Sequence, residues 1–203
     1  MPFGSPMVMS MDFFIRVNVE FFLYIYTNKD DGKVMAIKFK LNKRKAVEAV
    51  LWFIKEKKTS NMYAIWKMLF AAEKYHLNTY GRPITGETYL AMQHGTVPKW
   101  LYKDACEMLG VGFARAGTTL IAERNCIKDF FSETDIEALE HGHKEYAGMG
   151  FDAIERKNHK EPAWAKRWKR RGAAREVSIR FEDLIDEDWL KEELAWSSSS
   201  LVI

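Results

Sequence analysis

Histidines and cysteines are the side chains of this sequence best suited to metal binding or nucleophilic chemistry. Cys106 and Cys126 lie twenty residues apart and lack the CxxC or Cys/His spacing of a zinc site. His141 and His143 are two residues apart in a segment with helical spacing, where they point to different faces and cannot both bind one ion. The sequence therefore predicts free thiols in a reducing cytosol, and no metal site.

His94 and His159 are candidates for acid–base catalysis. Neither has a neighbouring Cys, Ser or acid in an arrangement that would activate a nucleophile. An enzyme that uses either histidine beside Arg82 stays open as an alternative. The sequence favours hydrogen-bonded structural histidines, and it predicts a protein that is not an enzyme and binds no cofactor.

Glycine and proline punctuate residues 80–98, YGRPITGETYLAMQHGTVP. A phosphate-binding loop would need GxxxxGK followed by Ser or Thr after a strand, and GRPITGE has no lysine. Gly81 suits the left-handed residue that ends a helix, and Pro83 cannot continue one. Gly95 and Pro98 predict the start of the next helix. The stretch is interpreted as a set of turns onto which a partner could also dock.

Arg82 is the residue of this stretch that a turn does not require. Its guanidinium can clamp an acid across the core, with Glu73 as the candidate, or it can present a bidentate donor to a partner. The sequence favours the internal clamp.

Two helices are predicted before this stretch. Asn42 can cap a first helix that runs to about residue 57, with apolar residues at spacings of three and four. One of residues 59–61 can cap a second helix that reaches Tyr80.

After the stretch, a helix is predicted from Pro98 to Gly110 and a short hairpin at 112–127 around Gly117. SETD at 132–135 has the form of a capping box, which starts a further helix. The apolar stripe of that helix is expected to contain Ile136, Leu139, His143 and Ala147. The predicted fold is mainly α, of the α+β class: a compact helical domain with a small β-hairpin.

The chain has 203 residues, 47% of them hydrophobic, which is enough for one core without disulfides or a metal. Residues 1–34 are predicted to be an N-terminal extension. They either contribute a strand to a hairpin with the segment that follows, or reflect an over-extended start before Met35. The domain itself is predicted at 35–195, followed by a disordered tail at 196–203.

Charge is balanced overall but not locally. The 31 basic and 28 acidic residues give a net charge of +3, too small to imply a nucleic-acid partner. Residues 156–175 hold nine Lys or Arg with one acid, and 176–193 hold eight acids. We expect the two blocks to face each other or water, and Trp164 and Trp168 to dock on the core. The alternative is that 156–175 binds nucleic acid through those rings and cations.

No run of the sequence approaches the ~18 to 20 apolar residues of a membrane helix. The N-terminus also lacks the basic start and uninterrupted apolar stretch of a signal peptide. We therefore expect a cytoplasmic protein without a membrane partner.

Residues 67–98, KMLFAAEKYHLNTYGRPITGETYLAMQHGTVP, resemble the signature of the Panacea antitoxin domain, the SocA-like family. FSETD at 131–135 and the pair formed by His159 and Trp164 resemble later motifs of that family, so the resemblance covers about residues 42–190. Thr96 replaces the usual proline of Gly-Pro-Val-Pro, which would loosen the turn or cap the next helix. The matching positions in the signature are Glu73, Tyr75, His76, Leu77, Tyr80, Gly81, Arg82, Pro83, Ile84, Thr85, Gly86, Glu87, Tyr89, Ala91, Met92, Gly95, Val97 and Pro98.

The resemblance implies an antitoxin of bacterial, prophage or phage-defence toxin–antitoxin systems. Such a domain neutralises a cognate protein toxin, encoded by an adjacent gene, through direct contact, by blocking it or by presenting it to a protease or unfoldase. A nucleic-acid-binding regulator that uses 156–175 is the alternative function, although nucleic acid is not an expected partner. The residues expected to form or support the toxin-binding motif are Glu73, Tyr80, Gly81, Arg82, Pro83, Ile84, Thr85, Gly86, Tyr89, His94, His159 and Trp164.

Overall fold

The computed structural model describes residues 37–199, with side chains as far as residue 195. The extension at 1–34 and the hairpin suggested for it lie outside the described residues. Within the described range the chain forms eight α-helices and five short β-strands. The predicted class, α+β and mainly helical, is confirmed.

Two capped helices form the first part of the fold. Helix α1 (Lys43–Lys55) begins after Asn42, whose side chain accepts from the Lys45 amide at 3.0 Å. Helix α2 (Met62–Tyr80) begins after Asn61, which accepts from the Ala64 amide at 3.0 Å, and ends at left-handed Gly81. Both predicted helices and their caps are confirmed.

The signature continues into a β-hairpin that the sequence did not predict. Strand β1 (Tyr89–Met92) pairs antiparallel with β2 (Gly95–Pro98), and β5 (Glu176–Ile179) pairs antiparallel with the other edge of β1. The sheet order is β2-β1-β5. Gly95 and Pro98 were expected to start a helix and instead bound a strand. The reason is that all four residues of β2 are buried, so they lack the alternation that marks a half-exposed strand.

The helix expected from Pro98 to Gly110 is shorter than predicted. Helix α3 (Lys99–Lys103) has five residues, and a 3₁₀ turn follows at Ala105–Glu107. The prediction is wrong beyond Lys103. Asp104 stands at the break with φ −114°, and aspartate is a weak helix former in a helix interior.

The hairpin predicted at 112–127 is confirmed. Strands β3 (Phe113–Ala116) and β4 (Thr119–Ala122) pair antiparallel, with Gly117 in the turn at φ 63°. The Leu120 amide donates to the Ser60 carbonyl at 2.8 Å, which fastens this hairpin to the start of α2.

Helix α4 (Glu133–Tyr146) starts with the predicted capping box, formed by Ser132 and Asp135. Its predicted stripe is wrong at the end, since Ala147 is exposed and Tyr146 is buried. Helices α2 and α4 pack closely at Gly142, where an added Cβ would overlap the Met68 carbonyl oxygen. Because Gly142 lacks a side chain, the two backbones can approach each other.

Four helices complete the described chain, and the last of them continues into the tail predicted to be disordered. Residues 196–199 are helical, while 200–203 lie outside the described residues. Leu190 is buried and Leu194 packs against the core, which anchors the preceding turns of that helix. The four helices are α5 (Phe151–Asn158), α6 (Pro162–Lys169), α7 (Phe181–Leu184) and α8 (Asp188–Ser199).

Two apolar clusters form the core. The first lies between α1, α2, α4 and the β3–β4 hairpin, and the second lies between the C-terminal half of α2, the β1–β5 pair and helices α6 to α8. The signature loop and β1 lie between the two clusters. Among residues 37–199, no helix is long and apolar enough to cross a membrane.

Candidate functional site

The buried carboxylate of Glu73 binds the backbone of the turn that follows α2. This carboxylate is 2% exposed and accepts from the amides of Ile84 at 2.8 Å and Thr85 at 3.0 Å, and from the Thr85 hydroxyl. Burial raises the pKa of Glu73 to about 7, while the three donors act in the opposite direction. The acid predicted as the partner of Arg82 thus binds the loop backbone instead.

Arg82 is an internal clamp, as favoured from the sequence, but its partner is Asp135. Its Nη1 donates to Asp135 Oδ1 at 3.1 Å, and Nη2 donates to Ser132 Oγ at 3.2 Å. The reversal of the chain at Gly81 directs the arginine toward the start of α4 rather than back along α2. Arg82 therefore fastens the signature loop to the capping box of α4.

Asp135 is the charged centre of this contact. It is 1% exposed, and Lys45 Nζ lies 2.6 Å from its Oδ2. Burial alone would raise the pKa of Asp135, but Lys45 and Arg82 outweigh that effect, and the pKa lies below its usual value. The carboxylate consequently stays ionised between two cations.

His76 completes the polar core with both ring nitrogens in use. Nδ1 lies 2.6 Å from the Arg82 carbonyl, and Nε2 lies 3.1 Å from Thr134 Oγ1. Since a carbonyl only accepts, Nδ1 carries the proton and Nε2 accepts from the hydroxyl. Burial lowers the pKa of His76 to about 4, so the imidazole is neutral at pH 7.

The turn between β1 and β2, residues 92–96, is here called the hairpin tip. Side chains from α2, from α6 and from the residue that follows α5 donate to four of its backbone carbonyls, so its backbone is fixed from several sides. The pairs are Tyr63 to His94 (2.8 Å), Lys67 to Thr96 (2.5 Å), His159 to Gln93 (2.9 Å) and Trp164 to Met92 (2.9 Å).

Asn158 fixes the tip through its amide group. Its Oδ1 accepts from the Thr96 amide at 2.7 Å, and its Nδ2 donates to Thr96 Oγ1 at 3.1 Å. Gly95 has φ 109°, and an added Cβ would overlap Asn158 Oδ1. Thr96 is therefore a buried anchor, which corrects the expectation that it loosens the turn or caps the next helix.

Lys67 is a second buried group beneath the tip. It is fully buried, its ammonium lies 4.4 Å from the centre of the Tyr63 ring, and burial lowers its pKa to about 7. Its bond to the Thr96 carbonyl and this ring satisfy the cation locally.

Three rings cover the outside of the tip, and we call them the aromatic platform: Tyr63, His94 and Phe151. The centre of the Phe151 ring lies 4.5 Å from that of Tyr63 and 5.6 Å from that of His94. Phe151 is 48% exposed, and the His94 side chain is 57% exposed. His94 Nδ1 lies 2.6 Å from Glu155 Oε1, which orients the imidazole.

The structure separates the predicted motif residues into a buried group and an accessible group. His94 is exposed, while Tyr80, Gly81, Arg82 and His159 are partly exposed. His94, His159 and Trp164 come together at the hairpin tip, whereas Tyr80 lies apart and donates to Glu137 at 2.7 Å. The buried residues are Glu73, Pro83, Ile84, Thr85, Gly86, Tyr89 and Trp164.

Sequence reasoning missed five residues that shape the site: Tyr63, Lys67, Asp135, Phe151 and Asn158. The capping box did identify Asp135 as a helix cap, but not as the partner of Arg82. An exposed Phe151 directly after Gly150, at a predicted helix end, was a signal that could have been used. The pattern gives no comparable signal for Asn158, whose partner is 62 residues away.

Other surface features lie away from the signature. A groove of about 510 Å³ between α1 and α4 has Trp52 and Phe131 among its lining residues and is edged by the ion pairs Lys57–Glu140 and Lys128–Glu56. Within the part of the chain that the structure describes, no group of three or more His, Cys, Asp or Glu side chains is arranged to hold a metal ion.

The fold and the site define an α+β domain in which a helix leads through a braced loop into a fixed hairpin. Residues 65–165 match the family model described as Antitoxin SocA-like, Panacea domain, so this part of the chain is similar to that family. The match lies within the 42–190 segment expected from the sequence and includes the loop and the hairpin tip. No curated protein and no solved structure matches the chain significantly.

Proposed function

We propose that this protein is an antitoxin that neutralises a cognate protein toxin by direct contact. The observation that carries the proposal is the family match over residues 65–165, which contains the whole signature from α2 to the hairpin tip. The proposed partner is the product of an adjacent gene, and the proposed location is the cytoplasm.

The aromatic platform is the proposed contact surface. Aromatic side chains are enriched at the centres of protein interfaces, where they contribute large contact areas at low entropic cost. Phe151 and His94 are exposed, while their neighbours in the hairpin tip are held by four side-chain hydrogen bonds. A surface that is already ordered loses little conformational freedom on binding.

The buried and partly exposed motif residues support this surface in the proposal rather than contact the toxin. Glu73 and Arg82 fix the loop that leads into β1, and Trp164 and His159 fix the tip. Substitutions at these residues are expected to weaken toxin binding indirectly, because they displace the aromatic platform.

Growth rescue tests the proposal. The product of each adjacent gene is expressed with and without this protein, and rescue of growth from one toxic product is expected. The double variant H94A/F151S should lose rescue, while M108S/I121S, which removes two exposed apolar side chains elsewhere, should retain it. Failure to rescue growth from any adjacent toxic gene would contradict the antitoxin function.

Two modes of neutralisation are distinguished in the same cells. If the protein blocks its toxin, the toxin accumulates in an inactive complex. If it presents the toxin to a protease or unfoldase, the half-life of the toxin falls when the antitoxin is present. Pulse-chase measurement of the toxin separates these two outcomes.

A further inference from the structure

Exposed cations lie along the segments around α6 in the part of the chain that the structure describes. Six Lys or Arg side chains between residues 156 and 180 are exposed and have no carboxylate or hydrogen-bond acceptor for their charged groups within the described range 37–199. We call this surface the basic face. Its members are Arg156, Lys160, Lys169, Arg170, Arg175 and Arg180.

The acidic block that follows does not neutralise this face. Asp183 does pair with Lys166 and Arg167, as expected from the sequence. Two other acids of the block pair with lysines outside 156–175: Glu176 pairs with Lys103, and Asp186 pairs with Lys74. The expectation that the two blocks face each other or water is therefore confirmed: Asp183 faces Lys166 and Arg167, and most of the other basic residues face water.

The tryptophans of α6 are not available to stack on a ligand. Trp164 is 7% exposed, lies between the rings of His159 and Trp168, and packs in the second core cluster. The Arg171 guanidinium lies 4.0 Å from the centre of the Trp168 ring and covers it. The exposed side of α6 therefore presents charged groups to a ligand rather than aromatic rings.

The chemistry around the face selects one class of ligand. Among the described residues, no large exposed apolar side chain lies between residues 152 and 188. A protein interface would use such side chains beside the charges, and an anionic membrane, which also attracts clustered cations, is the competing ligand that the test below separates. A phosphodiester backbone requires only cations, and it offers a charge about every 1.7 Å along a duplex axis. Helix α6 spans about 12 Å, so its two ends can reach several phosphates at once.

We propose that the basic face binds the phosphate backbone of nucleic acid without reading its sequence. This goes beyond the antitoxin function and does not depend on it. Binding is electrostatic, with a dissociation constant on the order of 10⁻⁴ to 10⁻⁶ M at physiological salt. With about four phosphates contacted, the logarithm of the affinity falls against the logarithm of salt with a slope of about −3.6 on duplex and about −2.8 on single strands.

Fluorescence anisotropy with labelled 20-mers of random sequence tests the proposal. Duplex DNA and single-stranded RNA are titrated separately at several salt concentrations with the full-length protein. The triple variant K169Q/R170Q/R175Q is expected to bind at least tenfold more weakly and to have a salt slope smaller in magnitude by about 2 to 3. The comparison of the two nucleic acids shows which form is preferred.

The matched control is K58Q/K99Q/K144Q, which removes the same charge from three exposed lysines elsewhere. It should retain binding within about twofold, since long-range charge alone does not hold the backbone. Equal losses in the two triple variants, or no binding by the wild type at 50 mM salt, would overturn the proposal. The proposal would also be overturned if K169Q/R170Q/R175Q lost its binding to vesicles of anionic lipid while its binding to nucleic acid was unchanged.

Growth rescue by K169Q/R170Q/R175Q is scored separately, so failure of the antitoxin proposal is distinguishable from failure of the nucleic-acid proposal.

Discussion

At the scale of single residues, buried polar groups hold the signature in place. Each of them forms hydrogen bonds or ion pairs with a backbone group or a charged side chain of another part of the chain. Glu73 binds two loop amides, and His76 links a loop carbonyl to α4. Asp135 joins the loop to α1 and α4 through Arg82 and Lys45. Because a buried polar group without a partner is costly, each of these contacts specifies where its partner must lie.

Asp135→Asn is predicted to lower the free energy of unfolding by roughly 3 kcal/mol or more. The change leaves Lys45, whose side chain is 7% exposed, without its buried counter-charge. Asp188→Asn is the control, since Asp188 pairs with Lys191 while its own side chain is 89% exposed, and its loss of stability should be much smaller than that of Asp135→Asn. Urea denaturation measures both, and similar losses in the two variants would contradict the assignment of Asp135 as the charged centre.

Tyr89→Phe is predicted to leave stability unchanged or to increase it by about 1 kcal/mol. The Tyr89 hydroxyl is buried and has no hydrogen-bond partner among the described residues, so its removal relieves a desolvated group. The ring remains and keeps its edge-on contact with Phe70. Thermal unfolding checks this, and a loss of more than about 1 kcal/mol would reveal a bond to the hydroxyl.

At the scale of elements, the close packing of α2 against α4 positions both ends of the signature. The contact brings Asp135 beneath the loop and Tyr146 beside Asn158, which holds the hairpin tip. The spacing of the two helices therefore controls the loop and the tip together.

Gly142→Ala is predicted to destabilise the protein by roughly 2 kcal/mol or more. An added methyl group would overlap the Met68 carbonyl oxygen, and a well-packed core does not absorb such an overlap without shifting a helix. Gly150→Ala, where an added Cβ meets nothing within 4 Å, is the matched control and should change stability by less than about 1 kcal/mol. Equal midpoints of urea unfolding for the two variants would exclude a close contact at Gly142.

The helix caps and the second hairpin were predictable from sequence because their determinants are local. Asn42, Asn61 and Ser132 act within three residues of their partners, and Gly117 lies inside its own turn. The β1–β5 pairing was not predictable, because these strands are distant in sequence and short. The partner of Arg82 was missed for the same reason, since 53 residues separate it from Asp135.

At the scale of the whole molecule, buried titratable groups couple folding to pH in opposite directions. The pKa of His76 falls from 6.5 to about 4 on folding, so its contribution to stability is lost as pH falls through that window. The pKa of Glu73 rises from 4.5 to about 7 on folding, so its contribution to stability is lost as pH rises from 4.5 to about 7.

His76→Gln isolates one of these contributions. The variant is expected to be less stable than wild type at pH 7, and the difference should shrink by up to about 3 kcal/mol between pH 7 and pH 4. The reason is that only the wild type must keep an imidazole uncharged in the core at low pH. Urea unfolding across this range gives the difference directly, with the Glu73 contribution common to both proteins. A difference that is constant with pH would contradict a neutral, buried His76.

The most direct test is the affinity of this protein for the toxin from which it rescues growth, measured by titration calorimetry with purified proteins. We expect Phe151→Ser to weaken binding at least tenfold, because it removes the central ring of the aromatic platform. Trp189→Ser, which removes an aromatic side chain that is 58% exposed on α8, should leave the affinity unchanged. Unchanged affinity for the Phe151 variant, or a larger loss for the Trp189 variant, would contradict the hairpin tip as the binding surface.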